Sequence, residues 1–205
     1  MGRRAQTPRT KTVFQVRIHG RGGQGVVTAA ELLSVAAFDS DLHSQAFPSF
    51  GSERTGAPVT AFCRIDQRPI RTREPIAEPD ALIIQDPTLL HQVDVFGGLR
   101  QGGKVLINTG RTAQQLGLAE LLEGSEPPIL LTVPATELAR EHLGRALPNA
   151  AMLGGFAALT GIVSIEGVEL AINERFAGAV AAGNAAAARA AHEFVGDEIG
   201  ALAGA

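Results

Sequence analysis

Tryptophan and tyrosine are both missing from this 205-residue chain, and phenylalanine alone brings the aromatic fraction to 4%. Without them there is little on which nucleic-acid bases could stack. The net charge of −3 points the same way. Its basic excess is confined to Arg3, Arg4, Arg9 and Lys11, which argues against generic nucleic-acid binding. One cysteine, Cys63, excludes an internal disulfide and any cluster held by this chain's own thiolates. The histidines at 19, 43, 91, 142 and 192 have no ligand spacing, so no metal site is expected. No Gly-x-Ser-x-Gly elbow is present for hydrolase chemistry. No apolar run reaches membrane-spanning length and the N-terminus lacks a signal-peptide core, so a cytoplasmic protein without membrane contact is expected. No residue of the chain is assigned a catalytic role.

What is present is an ordinary globular composition, 45% apolar and 19% charged, in a length that suits one domain. Residues 1–12 read as a disordered basic lead-in broken by Pro8, residues 13–196 as the domain, and 197–205 as a frayed tail. A first strand over roughly 13–18 precedes a helix over about 25–38. His43 to Phe47 reads as a short strand ended by Pro48, and Pro58 to Ile65 alternates as a strand should. A turn at Asp66-Gln67 suggests a hairpin partner in Arg68-Pro69-Ile70-Arg71 at a sheet edge. The runs Ala81–Gln85, Lys104–Ile107 and Ile129–Val133 are apolar without alternation. That pattern calls for parallel strands covered on both faces, with helices above and below. Past residue 135 the chain reads as helical, with Asn149, Ser164 and Asn184 placed to cap successive helices. The fold class expected is α/β: a three-layer, Rossmann-like, mostly parallel sheet with an edge hairpin and a helical C-terminal part.

The most informative stretch runs from Val13 to Gly25. A strand ends in four glycines within six residues, Gly20, Gly22, Gly23 and Gly25, with Gln24 between the last two, and then opens into helix. Such a turn aims unpaired N–H groups at one spot, and the helix start adds partial positive charge, so an anion is the natural guest. Gly20, Gly22 and Gly25 also fit Gly-x-Gly-x-x-Gly. A dinucleotide fold would need an acidic residue ending the second strand about 20 residues on. Asp39 and Asp41 fall at that distance but precede the candidate strand. The Gly-Lys-Ser/Thr ending of a triphosphate loop is missing. A second polar, glycine-rich loop, Ser49-Phe50-Gly51-Ser52-Glu53-Arg54, joins the strands at 43–48 and 58–65. Arg54, Arg64, Arg68, Arg71 and Arg73 crowd around it, as an anion site or an acidic partner would require. A packing-only role for the glycines, a stand-alone NAD-dependent oxidoreductase and a purely structural assembly surface all remain open at this level.

Several segments in register resemble one family. His19-Gly20-Arg21-Gly22-Gly23-Gln24-Gly25, Gln45-Ala46-Phe47-Pro48, Phe50 to Val59, Gln85-Asp86-Pro87-Thr88-Leu89, Ile107-Asn108-Thr109 and Pro148 to Gly154 are similar to the gamma subunit of 2-oxoacid:ferredoxin oxidoreductases, the pyruvate synthase type in particular. The resemblance covers about residues 13 to 196. It implies a Rossmann-like subunit of a complex that oxidatively decarboxylates a 2-oxoacid, pyruvate first, to an acyl-coenzyme A. It also implies alpha, beta and ferredoxin-like delta partners that carry thiamine diphosphate, magnesium and [4Fe-4S] clusters, with ferredoxin or another acceptor reached through other chains. This chain would hold no cofactor by itself and would contact coenzyme A as substrate. The residues expected to frame it are Gly20, Gly22, Gly23, Gln24, Gly25, Ser49, Phe50, Gly51, Arg54, Asn108 and Thr109.

Overall fold

The computed structural model describes residues 13–49, 55–123 and 125–204. The lead-in 1–12 and the loop residues Phe50, Gly51 and Arg54 lie outside the described residues. Among the described residues, strands and α-helices follow one another as β1 (Phe14–Arg21), α1 (Val26–Asp39), β2 (His43–Pro48), β3 (Pro58–Asp66), β4 (Ala81–Ile84), β5 (Lys104–Asn108), β6 (Ile129–Val133), α2 (Ala135–Leu143), α3 (Asn149–Thr160), α4 (Ile165–Arg175) and α5 (Gly178–Ala203). The six strands form one sheet in the order β2-β3-β1-β4-β5-β6. β1, β4, β5 and β6 pair in parallel, and β3 runs against both β1 and β2.

Strand alternation sorts the core into two halves. Val16, Ile18, Ala61, Cys63, Ala81, Ile83, Leu106 and Leu131 face the helices, where they meet Leu33, Phe156, Met152 and Val195. Leu82, Ile84, Val105 and Ile107 face the other way and pack on Leu89, Val95 and Leu116. Burial on both faces explains why these strands read as unbroken apolar runs. Cys63 is fully buried, and desolvation pushes its thiol up to about 12, so it packs as a small hydrophobe.

The second face departs from the expectation of helices on both sides. Among the described residues its cover is irregular chain with short 3-10 turns at Pro87–His91 and Ala119–Leu122. A layer without helices leaves carbonyls needing donors, and buried arginines supply them. Arg17, 9% exposed, donates to the carbonyls of Ile76 (3.4 Å), Val95 (2.9 Å) and Gly97 (2.7 Å). Arg64 donates to those of Thr72 (3.2 Å) and Glu74 (2.6 Å), with its guanidinium 5.3 Å from the Phe47 ring centre. Burial lowers the affinity of both for their protons, opposed in part by Asp94 and Glu74 respectively.

Four local expectations need correction. The antiparallel pair at the sheet edge is β2 with β3, and Arg68 to Arg71 form no strand, because β3 already has neighbours on both sides. Asn149 is the first residue of α3 rather than its cap, and it is buried. Asn184 lies inside α5, where its amide donates back to the Val180 carbonyl at 2.9 Å. That helix continues to Ala203, through the part expected to fray. Ser164 does cap α4, accepting from the Gly167 amide at 3.0 Å.

Candidate functional site

β1 leads through α1 to β2 and β3 on one side of the sheet, while β4 begins the other half. The carboxyl ends of β1 and β4 therefore flank the point where strand order reverses, the usual ligand crevice of an open α/β sheet. The glycine turn stands there. Its conformation needs glycine at two places, Gly23 (φ 94°) and Gly25 (φ 73°), both in the left-handed region. Gly20 is needed for a different reason: a Cβ there would lie 2.6 Å from Val26 Cγ2 and 3.2 Å from Gln85 Oε1. Strand and helix can approach so closely only without a side chain between them.

Hydrogen bonds fix the turn in one shape. The Gln24 side chain folds back to accept from the Arg21 amide (2.8 Å) and donates to Asp86 Oδ2 (2.8 Å). Arg21 reaches Asp86 Oδ2 (3.1 Å), the Gly56 carbonyl (3.0 Å), Thr88 Oγ1 (2.6 Å) and Gln92 Oε1 (2.7 Å). For Asp86, burial opposes the charged form, but hydrogen bonds from Thr88 and Gln24, with Arg21 nearby, outweigh it and hold the carboxyl below its ordinary range. The second loop is tied to the first, since Gly22 donates to the Ala57 carbonyl (2.9 Å) and Gly56 to the Gly22 carbonyl (3.1 Å). Arg21 is thus committed to the scaffold.

The backbone beyond Gly25 is not so committed. α1 starts with no side chain capping it, and the amides of Val26, Val27 and Thr28 have no hydrogen-bond partner among the described residues. They border a hollow of about 320 Å³ shared with Gly22, Gly23 and Val59. Beneath the turn, Gln85 is 1% exposed and both of its amide atoms lack a partner among the described residues. Buried amides are rarely left so.

Of the residues expected in the site, Gly20, Gly22, Gly23, Gln24 and Gly25 form this turn, and Ser49 is exposed at the end of β2, its amide bonded to the Thr60 carbonyl (2.8 Å). Asn108 and Thr109 stand at the carboxyl end of β5, but the Asn108 amide is spent internally. It donates to the Gln85 carbonyl (2.8 Å) and Thr136 Oγ1 (2.8 Å), and accepts from the Thr136 amide (3.0 Å) at the start of α2. Thr109 Oγ1 accepts from the Arg111 amide (3.2 Å). The arginine cluster does not converge either: Arg64 is buried in the sheet, whereas Arg68, Arg71 and Arg73 are exposed along the connection after β3. His19 proves to be a packing residue. It accepts from Arg17 Nε through Nε2 (3.0 Å), and burial, with Arg17 adding to it against Asp94, lowers its pKa to about 4.

Sequence reasoning missed Gln85, Asn149, Arg145 and Arg175. Asn149 lies against Gly25, and both arginines border a second hollow on the helical side of the turn. Gln85 and Asn149 carried a signal only as parts of the resembling segments rather than through chemistry; Arg145 and Arg175 carried none.

The geometry also bears on dinucleotides. Asp39 and Asp41 lie at the far end of α1, about 21 Å from the turn for 14 residues at 1.5 Å each. β2 ends at the carboxyl edge in Phe47-Pro48, without the acid that grips a ribose. Fold and site together define an α/β domain with an uncapped helix start at the switch point of its sheet and without the ribose-gripping acid of a dinucleotide fold.

Comparisons with known proteins carry this to a family. Residues 15–194 match the family model for pyruvate ferredoxin/flavodoxin oxidoreductase. The pyruvate/ketoisovalerate oxidoreductases common subunit gamma of Thermococcus litoralis is 50% identical over 181 residues, covering 88% of this chain and 96% of that protein. Pyruvate synthase subunit PorC of Methanothermobacter marburgensis is 48% identical over 181 residues, 88% and 97% of the two chains. The crystal structure of the pyruvate oxidoreductase subunit PORC of Thermotoga maritima superposes with a TM-score of 0.75 at 34% identity, over 89% and 97% of the two chains. The chain belongs to the pyruvate ferredoxin/flavodoxin oxidoreductase family, as a gamma subunit.

Proposed function

We propose that this gamma subunit serves a complex that oxidatively decarboxylates pyruvate to acetyl-coenzyme A, and that its part is to receive coenzyme A at the glycine turn. The observation that carries the reading is the uncapped start of α1, whose residues Val26, Val27 and Thr28 line a hollow at the switch point of the sheet. Coenzyme A presents a pyrophosphate and a 3′-phosphate, the groups that the amides of a helix start bind. Pyruvate is favoured because relatives at 48–50% identity carry it in their names. Thiamine diphosphate, magnesium and [4Fe-4S] clusters, carried by alpha, beta and delta partners, would supply the decarboxylation and the electron path to ferredoxin. The role of this chain's residues is to orient the nucleotide end of the thiol substrate. Ser49, Phe50, Gly51 and Arg54 would contact it or frame its entry, with Asn108 and Thr109 at the neighbouring strand end.

The test is Val27→Asp in the whole complex. Val27 is half-buried at the second position of α1 and borders the hollow. A carboxylate there favours the helix start while repelling an anion. The Michaelis constant for coenzyme A should rise at least tenfold, with assembly and melting temperature unchanged or improved. An unchanged constant would remove coenzyme A from this face.

A further inference from the structure

On the helical side of the turn the starts of two helices meet. Gly25 opens α1, and Asn149 opens α3; no side chain caps either. The approach is close, since a Cβ on Gly25 would lie 2.7 Å from Asn149 Nδ2. Asn149 is 6% exposed, yet its side-chain amide has no hydrogen-bond partner among the described residues. Unlike the sealed amide of Gln85, that of Asn149 faces open space, the cavity it lines, at the start of α3. That cavity, of about 220 Å³, is bordered also by Thr28, Asn184, Arg145 and Arg175. Asn184 is likewise buried, its nitrogen committed to the Val180 carbonyl. Neither arginine has an ion-pair partner among the described residues; the Arg175 guanidinium rests 5.7 Å from the Phe176 ring centre. Leu147 and Phe176 supply apolar wall.

We infer that this cavity binds the phosphoryl group of a small metabolite. Each element argues for an oxyanion. Two helix starts contribute partial positive charge from different directions, and the Asn149 amide offers donors at their junction. The arginines at the rim add two full charges with forked donors suited to phosphoryl oxygens. The volume admits a phosphoryl group with a short carbon stem. The site opens on the helical side, so it differs from the face proposed above for coenzyme A, whose hollow is bordered by Gly22, Val26, Val27 and Val59. Gly23, Gly25 and Thr28 are common to both, so occupancy of one side bears on the shape of the other.

The experiment uses the full chain and inorganic phosphate as probe, against chloride at matched ionic strength. Phosphate should bind at millimolar or lower concentration and raise the melting temperature of the natural protein. Asn149→Asp places a carboxylate at both helix starts, so the fold should be as stable as before in phosphate-free buffer while affinity falls at least tenfold. Should that variant unfold, Arg145→Gln with Arg175→Gln changes only exposed side chains and should produce the same loss. Failure of the natural protein to bind phosphate would overturn the inference, as would equal binding by every variant. Coenzyme A dependence of the complex, read separately with Val27→Asp, tests the other face, so either assignment can fail while the other stands.

Discussion

Replacing Gly154 by alanine separates two physical effects that a helix propensity table would merge. Gly154 lies mid-way along α3 and is packed against α5. A Cβ built on it would sit 1.9 Å from the Ala188 carbonyl oxygen, 2.5 Å from its carbon and 2.7 Å from Ala188 Cα. These are backbone atoms that no rotamer change can move. Ordinary carbon–oxygen contact is about 3.4 Å, so α3 and α5 would have to part by about 1.5 Å. Parting them loosens the packing of Phe156, Ala187, Ala191 and Val195, all buried in the same core. Overpacking of this kind costs about 1–3 kcal/mol, and a rigid backbone obstacle belongs at the upper end. Helix propensity returns about 1 kcal/mol on exchanging glycine for alanine. The net expectation is a loss of about 2 kcal/mol, which lowers the melting temperature by roughly 4–8 °C in a domain of this size. Gly196→Ala in α5 is the control, because a Cβ there meets open space. It should gain up to about 1 kcal/mol and melt roughly 2–4 °C higher. Calorimetry of the three proteins decides the matter. If Gly154→Ala melts at or above the natural protein, the helices are not in backbone contact and the packing described here is wrong.

Two further outcomes follow from the buried polar groups. The folded protein holds His19 neutral with its pKa lowered to about 4, whereas the unfolded chain takes up that proton near its ordinary 6.5. Between those values the unfolded state binds more protons, so stability is full above about pH 6.5 and falls as the pH drops toward 4, by about 3 kcal/mol from this group. His19→Gln cannot titrate; its urea midpoint should drop less between pH 7 and pH 4.5, and parallel losses in the two proteins would refute the assignment. Asn108→Ala should cost about 2–3 kcal/mol in urea unfolding, since it removes the acceptor at the Thr136 amide and leaves the buried Gln85 carbonyl without its donor. A loss under 0.5 kcal/mol would show that Asn108 does not brace the start of α2, and would free it for a ligand.

The sequence by itself determined the six strands of the sheet, the turn and the family. Apolar runs such as Ala81–Ile84 admit only a doubly covered strand, and glycines that must reach positive φ at 23 and 25 announce their own conformation. These are local properties, set by side-chain period and backbone sterics within a few residues. Tertiary structure decided what depends on partners distant along the chain. Arg17 and Arg64 became stitches of the irregular layer because the carbonyls they satisfy come from residues 72–97, which no pattern around β1 or β3 records. Residues 68–71 formed no strand because β1 and β2 already fill both edges of β3. Asn149 left the cap position that its composition suggested and came to rest against Gly25, more than a hundred residues away, where packing of α3 under α1 leaves its amide facing a cavity instead of its own helix.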